Sequence, residues 1–387
     1  MKAIKYLFRI ALFMLLTMCI GTYAQKNNKE VKAITNKTDE IIRLKSENWD
    51  FKPQTVEFLE YNSRPAMKLL PGCDRVVLKD FNFADGTIEY DMEPLIQGFT
   101  ACYFRCKDSK ESECFYFRTW KAGNPQAIDA IQYAPIIDGV NLWNMMFHYQ
   151  ANADYKNNEW NHVKLVISGK QMRAYINDMQ KPALEIPMLE GNVTAGTLAF
   201  DGQIVISNLV VKKNDVEGLN VEPGIDPCVN DPRYLRKWQV SIPVTTAKGI
   251  DFSDEYAPNN DTKWEEIIAE RRGLINLTRK FGMKEGRRIV WLKTSIYSDK
   301  AQDKILRFGF SNEVWVIINQ APLYIDKNLY NTPMAKVPDG RCSIENTSFK
   351  VPLKEGVNQL MIGVANFFYG WGIVARMDNL DGINLEK

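Results

Sequence analysis

The stretch "FTACYFRCKDSKESECFYFRTW", Phe99 to Trp120, decides the fold of this chain. Two aromatic runs flank the polar tract 107–112, and side chains along a strand alternate between two faces. Pairing the runs about the centre of the tract sets Phe104 opposite Phe115, Tyr103 opposite Tyr116, Arg105 opposite Cys114 and Ala101 opposite Arg118. One face then carries Cys102, Phe104, Cys106, Phe115 and Phe117. The other carries Tyr103, Arg105, Tyr116, Arg118 and Trp120. Register is well specified where one face is buried, so this sorting predicts a hairpin whose first face belongs to a core. On one strand Cys102 and Cys106 would stand about 13 Å apart, roughly twice the reach of a disulfide, so their spacing is not that of a redox pair.

Outward from the hairpin the same texture continues. Runs of four to eight β-branched and aromatic residues alternate with turns rich in Gly, Asn and Asp, which predicts an all-β protein of two β-sandwiches in tandem. The first sandwich spans 49–213 and the second 233–387. Between them 214–232 reads as a linker, with three prolines, two glycines and little apolar periodicity. Residues 25–48 read as a polar lead-in. One helix is expected in "DTKWEEIIAERRG", where Thr262 and Glu265 have the spacing of a capping box and Gly273 is a stop signal.

Residues 1–24 have the form of a secretory signal: Lys2, Lys5 and Arg9, a short apolar run, then Ala24 before Gln25. The apolar run is about half the length that spans a bilayer, so no transmembrane segment is expected in the mature chain. A lipid anchor at Cys19 would want a small residue before it, and Met18 is not one. The expectation is export to the periplasm or the extracellular space. Cleavage takes the net charge from +2 to −1, and without a basic run nucleic acid is not an expected partner. Six cysteines remain, which permits disulfides without requiring them.

The second face of the hairpin offers what a sugar-binding sheet needs. Flat rings supply an apolar surface for the C–H faces of a pyranose, and arginine supplies a rigid fork of donors. Tyr103, Arg105, Tyr116, Arg118 and Trp120 are the candidate ligand-binding residues. Asp129 or Gln132, Asn144 and His148 follow from neighbouring runs. The competing reading is a Tyr/Arg face that merely covers the outside of a sheet.

The segments "FADGTIEYDM", "YFR…FYFR", "EWNHVKLVISGKQMRAYIND" and "ISNLVVKK" resemble a concanavalin A-like jelly roll, closest to laminin-G-like domains and the bacterial 3-keto-disaccharide hydrolase domain. Trp160-Asn161, Gly169 and Asn177-Asp178 carry the punctuation of that resemblance, which covers roughly 50–213. The second half, through "SNEVWVIINQAPLY" and "VPLKEGVNQLMIGVANFFYGWGIVARM", is similar to galactose-binding-like jelly rolls, with Gln320 where Gly is usual and Trp371 as a plug or a platform. The resemblance implies carbohydrate-related work and no required cofactor, and it allows a structural calcium ion. Glu89, Asp91 and Glu93 also resemble the Glu-x-Asp-x-Glu signature of family-16 glycoside hydrolases. By that pattern they would be nucleophile, electrostatic neighbour and acid/base. Their position just after "FADG", with Pro94 ending the strand, reads instead as an outer strand.

With two histidines a His-rich zinc site is excluded, and no phosphate loop, dinucleotide fingerprint or EF-hand loop occurs. The leading expectation is an exported carbohydrate-recognition protein of a glycan-using bacterium, its partner an oligo- or polysaccharide. A hydrolase acting on glycosides and a non-catalytic surface interaction module stand as alternatives.

Overall fold

The hairpin forms, and it anchors one of the four antiparallel sheets among the described residues. The computed structural model describes residues 38–247, 256–366 and 368–385, so the expected signal segment, Cys19 and the start of the lead-in lie outside the described residues. The first sandwich stacks two sheets. In the first sheet the strands run in the order Leu184–Ile186, Gln171–Ile176, Asn161–Ser168, Gly86–Pro94, Ile204–Lys213, Arg64–Leu69 and Val56–Tyr61. In the second the order is Val140–Asn141, Ile131–Ile137, Ser112–Arg118, Phe99–Cys106, Thr197–Asp201, Val76–Leu78 and Trp49–Asp50. Ile88, Tyr90 and Met92 from one sheet meet Cys102, Phe104, Phe115, Phe117 and Phe200 from the other, all essentially without solvent contact. Tyr90 sets its ring edge-on to Phe200 at 5.2 Å. The lead-in is shorter than expected, because Thr38–Ile41 already pairs with Val210 to Lys213.

The second sandwich places a sheet ordered Trp264–Ile268, Lys237–Ser241, Arg287–Ser298, Gly356–Asn366, Asn312–Ile318 and Ala321–Asn328 against one ordered Leu274–Asn276, Gly372–Met377, Gln302–Phe310 and Thr347–Leu353. Trp238, Phe308, Phe310 and Trp371 fill the space between them, so Trp371 is a plug and not an exposed platform. Residues 214–232 carry no strand but are pinned. Lys170 N–H donates to the Val221 carbonyl at 3.1 Å, and the Arg271 guanidinium donates to the carbonyls of Gly224 and Ile225. The chain from Thr38 onward is one compact unit.

Three local expectations are corrected. The hairpin slips by two residues, pairing Ala101 with Tyr116 and Tyr103 with Cys114, which preserves the faces because the side-chain period is two. Gly86–Pro94 is not an outer strand but sits between Asn161–Ser168 and Ile204–Lys213. The expected helix at 261–273 is absent: Trp264–Ile268 pairs with Lys237–Ser241, and the Thr262 hydroxyl accepts from Asn259 N–H to close a turn. The described α-helix is the short Leu277–Phe281, capped by the Asn276 side chain.

Candidate functional site: an aromatic groove on the hairpin sheet

The outward face of the second sheet lies in a groove. Its floor is Tyr103, Tyr116 and Arg118, each no more than 7% exposed. Arg118 donates to the Asp129 carbonyl at 2.6 Å, to the Gln132 side-chain oxygen at 2.7 Å and to the Tyr116 hydroxyl at 3.2 Å. Gln132 passes the network on by donating to the carbonyls of Trp143 and Met146. These groups satisfy one another, as buried polar groups must. They form a rigid base rather than a set of free donors.

The walls are the accessible part. Phe99, Trp120, Tyr330, Phe368 and Tyr369 are between 38% and 58% exposed. Phe99 and Trp120 meet edge-on at 4.7 Å, and Trp143 sits 4.7 Å from Tyr330 and 5.5 Å from Tyr369. Together with the floor they enclose about 390 Å³. A second hollow of about 770 Å³ continues past Tyr103 and is lined by Arg75, Lys107 and Asp108, with Phe99, Tyr103 and Asp201 common to both. Burial raises the Asp201 carboxyl above the ordinary carboxylate range, and the Tyr103 hydroxyl donates to it at 2.6 Å. Tyr330, Phe368 and Tyr369 come from turns of the second sandwich, where no strand periodicity exposes them in sequence.

Arg105 is not in the groove. Thr197 pairs with Cys106 and Ala199 with Tyr103, so two hairpin residues oppose the single Leu198. This β-bulge puts Arg105 at φ +51° and exchanges the faces of Arg105 and Cys106. Arg105 is 1% exposed and donates to the Ala84 and Gly169 carbonyls and to Asp85. Cys106, expected in the core, lines the second hollow. Asn144 and His148 are elsewhere as well. The Asn144 carboxamide pairs in both directions with the backbone of Gly370, at 3.1 and 3.0 Å. His148 lines a separate, smaller cavity of about 100 Å³, where burial first and then Arg272 and Arg271 push its imidazole down to about 3.

The three acids lie on the opposite sheet, and none of them lines the groove or the second hollow. Glu89 binds Lys212 at 2.8 Å and stands 3.6 Å from His162, and Asp91 binds His162 at 2.7 Å and Arg64 at 3.1 Å. Glu93 is 6% exposed and accepts from the Tyr61 hydroxyl. The hydrogen bond from His162 and the Lys212 contact hold Glu89 down at about 2, and the two carboxylates raise His162 to about 9. Burial alone would raise Asp91, but its bonds from His162 and Asn208 outweigh burial and hold it low. A glycosidase needs an open acid/base carboxyl beside a free nucleophile. With Glu89 and Asp91 held in ion pairs and Glu93 buried against the Tyr61 hydroxyl, the strand does not present one, so the catalytic assignment of Glu89, Asp91 and Glu93 finds no support in the geometry.

The six described cysteines are free. No group of histidine, cysteine and acidic side chains suited to a metal ion occurs among the described residues, and no described helix is long and apolar enough to cross a membrane.

Fold and groove define an all-β protein of paired sandwiches with an aromatic-walled groove on one sheet. The chain matches no family model, and no curated protein is significantly similar to it. Solved structures similar to it include the carbohydrate binding module CBM66 from Bacillus subtilis, at 15% identity over 43% of this chain and 92% of that one (TM-score 0.30). A protein with a galectin-like fold from Bacillus subtilis shares 14% identity over 46% and 94% of the two chains (TM-score 0.34). Domain 4 of a GH43 extracellular arabinanase from Geobacillus stearothermophilus, solved with arabinotriose, shares 14% over 46% and 82% (TM-score 0.30). The sheets and groove stand on strand pairing and side-chain geometry rather than on these likenesses.

Proposed function

We propose that this protein is an exported carbohydrate-recognition protein that binds an oligo- or polysaccharide in the groove of its first sandwich. One observation carries the reading: five solvent-facing aromatic rings wall a hollow of about 390 Å³ over a fixed Tyr–Arg–Gln floor. Such a hollow is of ligand size, and aromatic walls suit the C–H faces of sugar rings. Phe99, Trp120, Tyr330, Phe368 and Tyr369 act as stacking surfaces. Arg118, Tyr116 and Gln132 hold the floor, and Arg105, Asn144 and His148 have no contact role.

Affinity electrophoresis through gels containing a polysaccharide panel tests the proposal. Wild type should be retarded by at least one polymer, and Trp120→Ala should lose about tenfold or more in affinity, as for an aromatic anchor at a binding hot spot. No retardation by any polymer, or an unaltered Trp120→Ala variant, sinks it. Export is tested separately by expressing the full chain and sequencing the N-terminus of exported material, expected at Gln25.

A further inference from the structure

We propose that the hollow beyond Tyr103 holds the negatively charged group of an acidic sugar, a carboxylate or a sulfate ester, so that the ligand of the groove is an anionic glycan. This rests on the groove being the glycan site.

Two cations line this half, Arg75 from the segment before Val76–Leu78 and Lys107 from the hairpin loop. The Arg75 guanidinium lies 3.9 Å from the centre of the Tyr103 ring, and its hydrogen bond to the Ser109 carbonyl is long, at 3.5 Å. A guanidinium resting on a ring face leaves its rim of N–H donors available in the plane.

The neighbouring acids form no direct ion pair with these cations, although Asp201 feels the Arg75 charge through space. Asp201 accepts from the Tyr103 hydroxyl, and Asp108 accepts from the backbone N–H groups of Lys110 and Glu111 to hold its own loop. Asp74 also lines the hollow, yet neither Arg75 nor Lys107 forms an ion pair with it or with any other described carboxylate. The other arginines of this sheet behave differently: Arg118 and Arg105 are buried and bonded within the protein.

A neutral sugar needs donors and acceptors in comparable number. A stacked guanidinium with a free edge matches the two oxygens of a carboxylate or sulfate in a bidentate fork. Because Phe99, Tyr103 and Asp201 line both halves, one saccharide chain can stack on the aromatic walls while an acidic unit reaches Arg75.

The test compares retention of the full chain by polygalacturonate, by its fully methyl-esterified form and by a sulfated galactan, for wild type, Arg75→Gln, Lys107→Gln and Trp120→Ala. Circular dichroism melts confirm that each variant is folded. Wild type should bind polygalacturonate or the sulfated galactan at least tenfold more tightly than the esterified polymer, with retention falling as salt rises. Arg75→Gln should erase that preference. Preference for polygalacturonate alone assigns a carboxylate, and for the galactan alone a sulfate; either supports the proposal. Trp120-dependent retention with no preference for charge, or an Arg75→Gln variant that keeps it, overturns the anionic ligand and leaves the groove intact. Failure to bind any polymer overturns both readings.

Discussion

Arg105 in the hairpin and Trp120 in the turn just after it carry opposite kinds of work. Arg105 has no exposed surface to offer; its guanidinium ties the hairpin sheet to the Ala84 and Gly169 carbonyls and to Asp85. Arg105→Ala would strand those acceptors, and with Asp85 partly open to solvent the cost should be about 2–3 kcal/mol, below the full range for a buried pair. Denaturant unfolding checks this, and the folded fraction should keep wild-type glycan retention. Trp120→Ala should do the reverse, changing stability by about 1 kcal/mol or less while removing a wall of the groove. Alternation in the sequence places Tyr103, Tyr116, Arg118 and Trp120 on one face, and the structure keeps them there. It fails at Arg105 and Cys106 because a single extra residue opposite Leu198 inverts the alternation, and nothing in "YFRC" announces a bulge. Asp201 and Arg75 are hidden from a hairpin-centred reading for another reason, since Asp201 arrives from a strand distant in sequence and Arg75 from the segment before Val76–Leu78.

The strand Gly86–Pro94 shows how a correct periodicity can still mislead about role. Its acids do share a face, but Lys212, His162 and Arg64 from other strands of the sheet neutralise Glu89 and Asp91, and Asn208 donates a further hydrogen bond to Asp91. The resulting cluster makes stability depend on pH in a defined window. Glu89 is lowered from 4.5 to about 2, so its contribution is present above 4.5 and lost as pH falls through 2. His162 is raised from 6.5 to about 9, so its contribution is present below 6.5 and lost as pH rises through 9. The cluster therefore stabilises most between about pH 4.5 and 6.5. His162→Gln should melt below wild type at pH 6, and the two melting curves should converge above pH 9; a gap that persists there counts against the assignment. The turn at Asn319-Gln320 is a second case. Both residues are left-handed, at φ +50° and +68°, joining Asn312–Ile318 to Ala321–Asn328. Such two-residue turns favour Asn-Gly, so Gln320→Gly should stabilise by about 0.5–1 kcal/mol in thermal unfolding. The helix expected at 261–273 fails because pairing with Lys237–Ser241 outweighs a local capping signal, as tertiary context commonly does.

The two sandwiches are legible as separate strand-rich halves, but their joint is not, because it brings together side chains and backbone groups far apart in sequence. The core of the first sandwich continues into Tyr234, Leu274, Cys342 and Val374 of the second. Across the same junction Asn144 donates to the Gly370 carbonyl and accepts from the Gly370 N–H, while Cys342 N–H donates to the Asn144 carbonyl. Phe368 and Tyr369 immediately precede Gly370, so the pairing fixes the wall of the groove as well as the joint. Asn144→Ala removes two neutral hydrogen bonds and leaves a buried N–H and C=O without partners, which should cost about 2 kcal/mol. Held well below its melting temperature the variant stays folded, so any change in binding reports the position of the wall rather than the population of the native state. If the second sandwich supplies that wall, glycan affinity should fall severalfold although Asn144 touches no ligand, and the loss should shrink when Phe368→Ala and Tyr369→Ala are already present, because neighbouring contributions are not additive. An Asn144→Ala effect on affinity that is undiminished in that background would place the disturbance in the floor, through Trp143, and not in the wall.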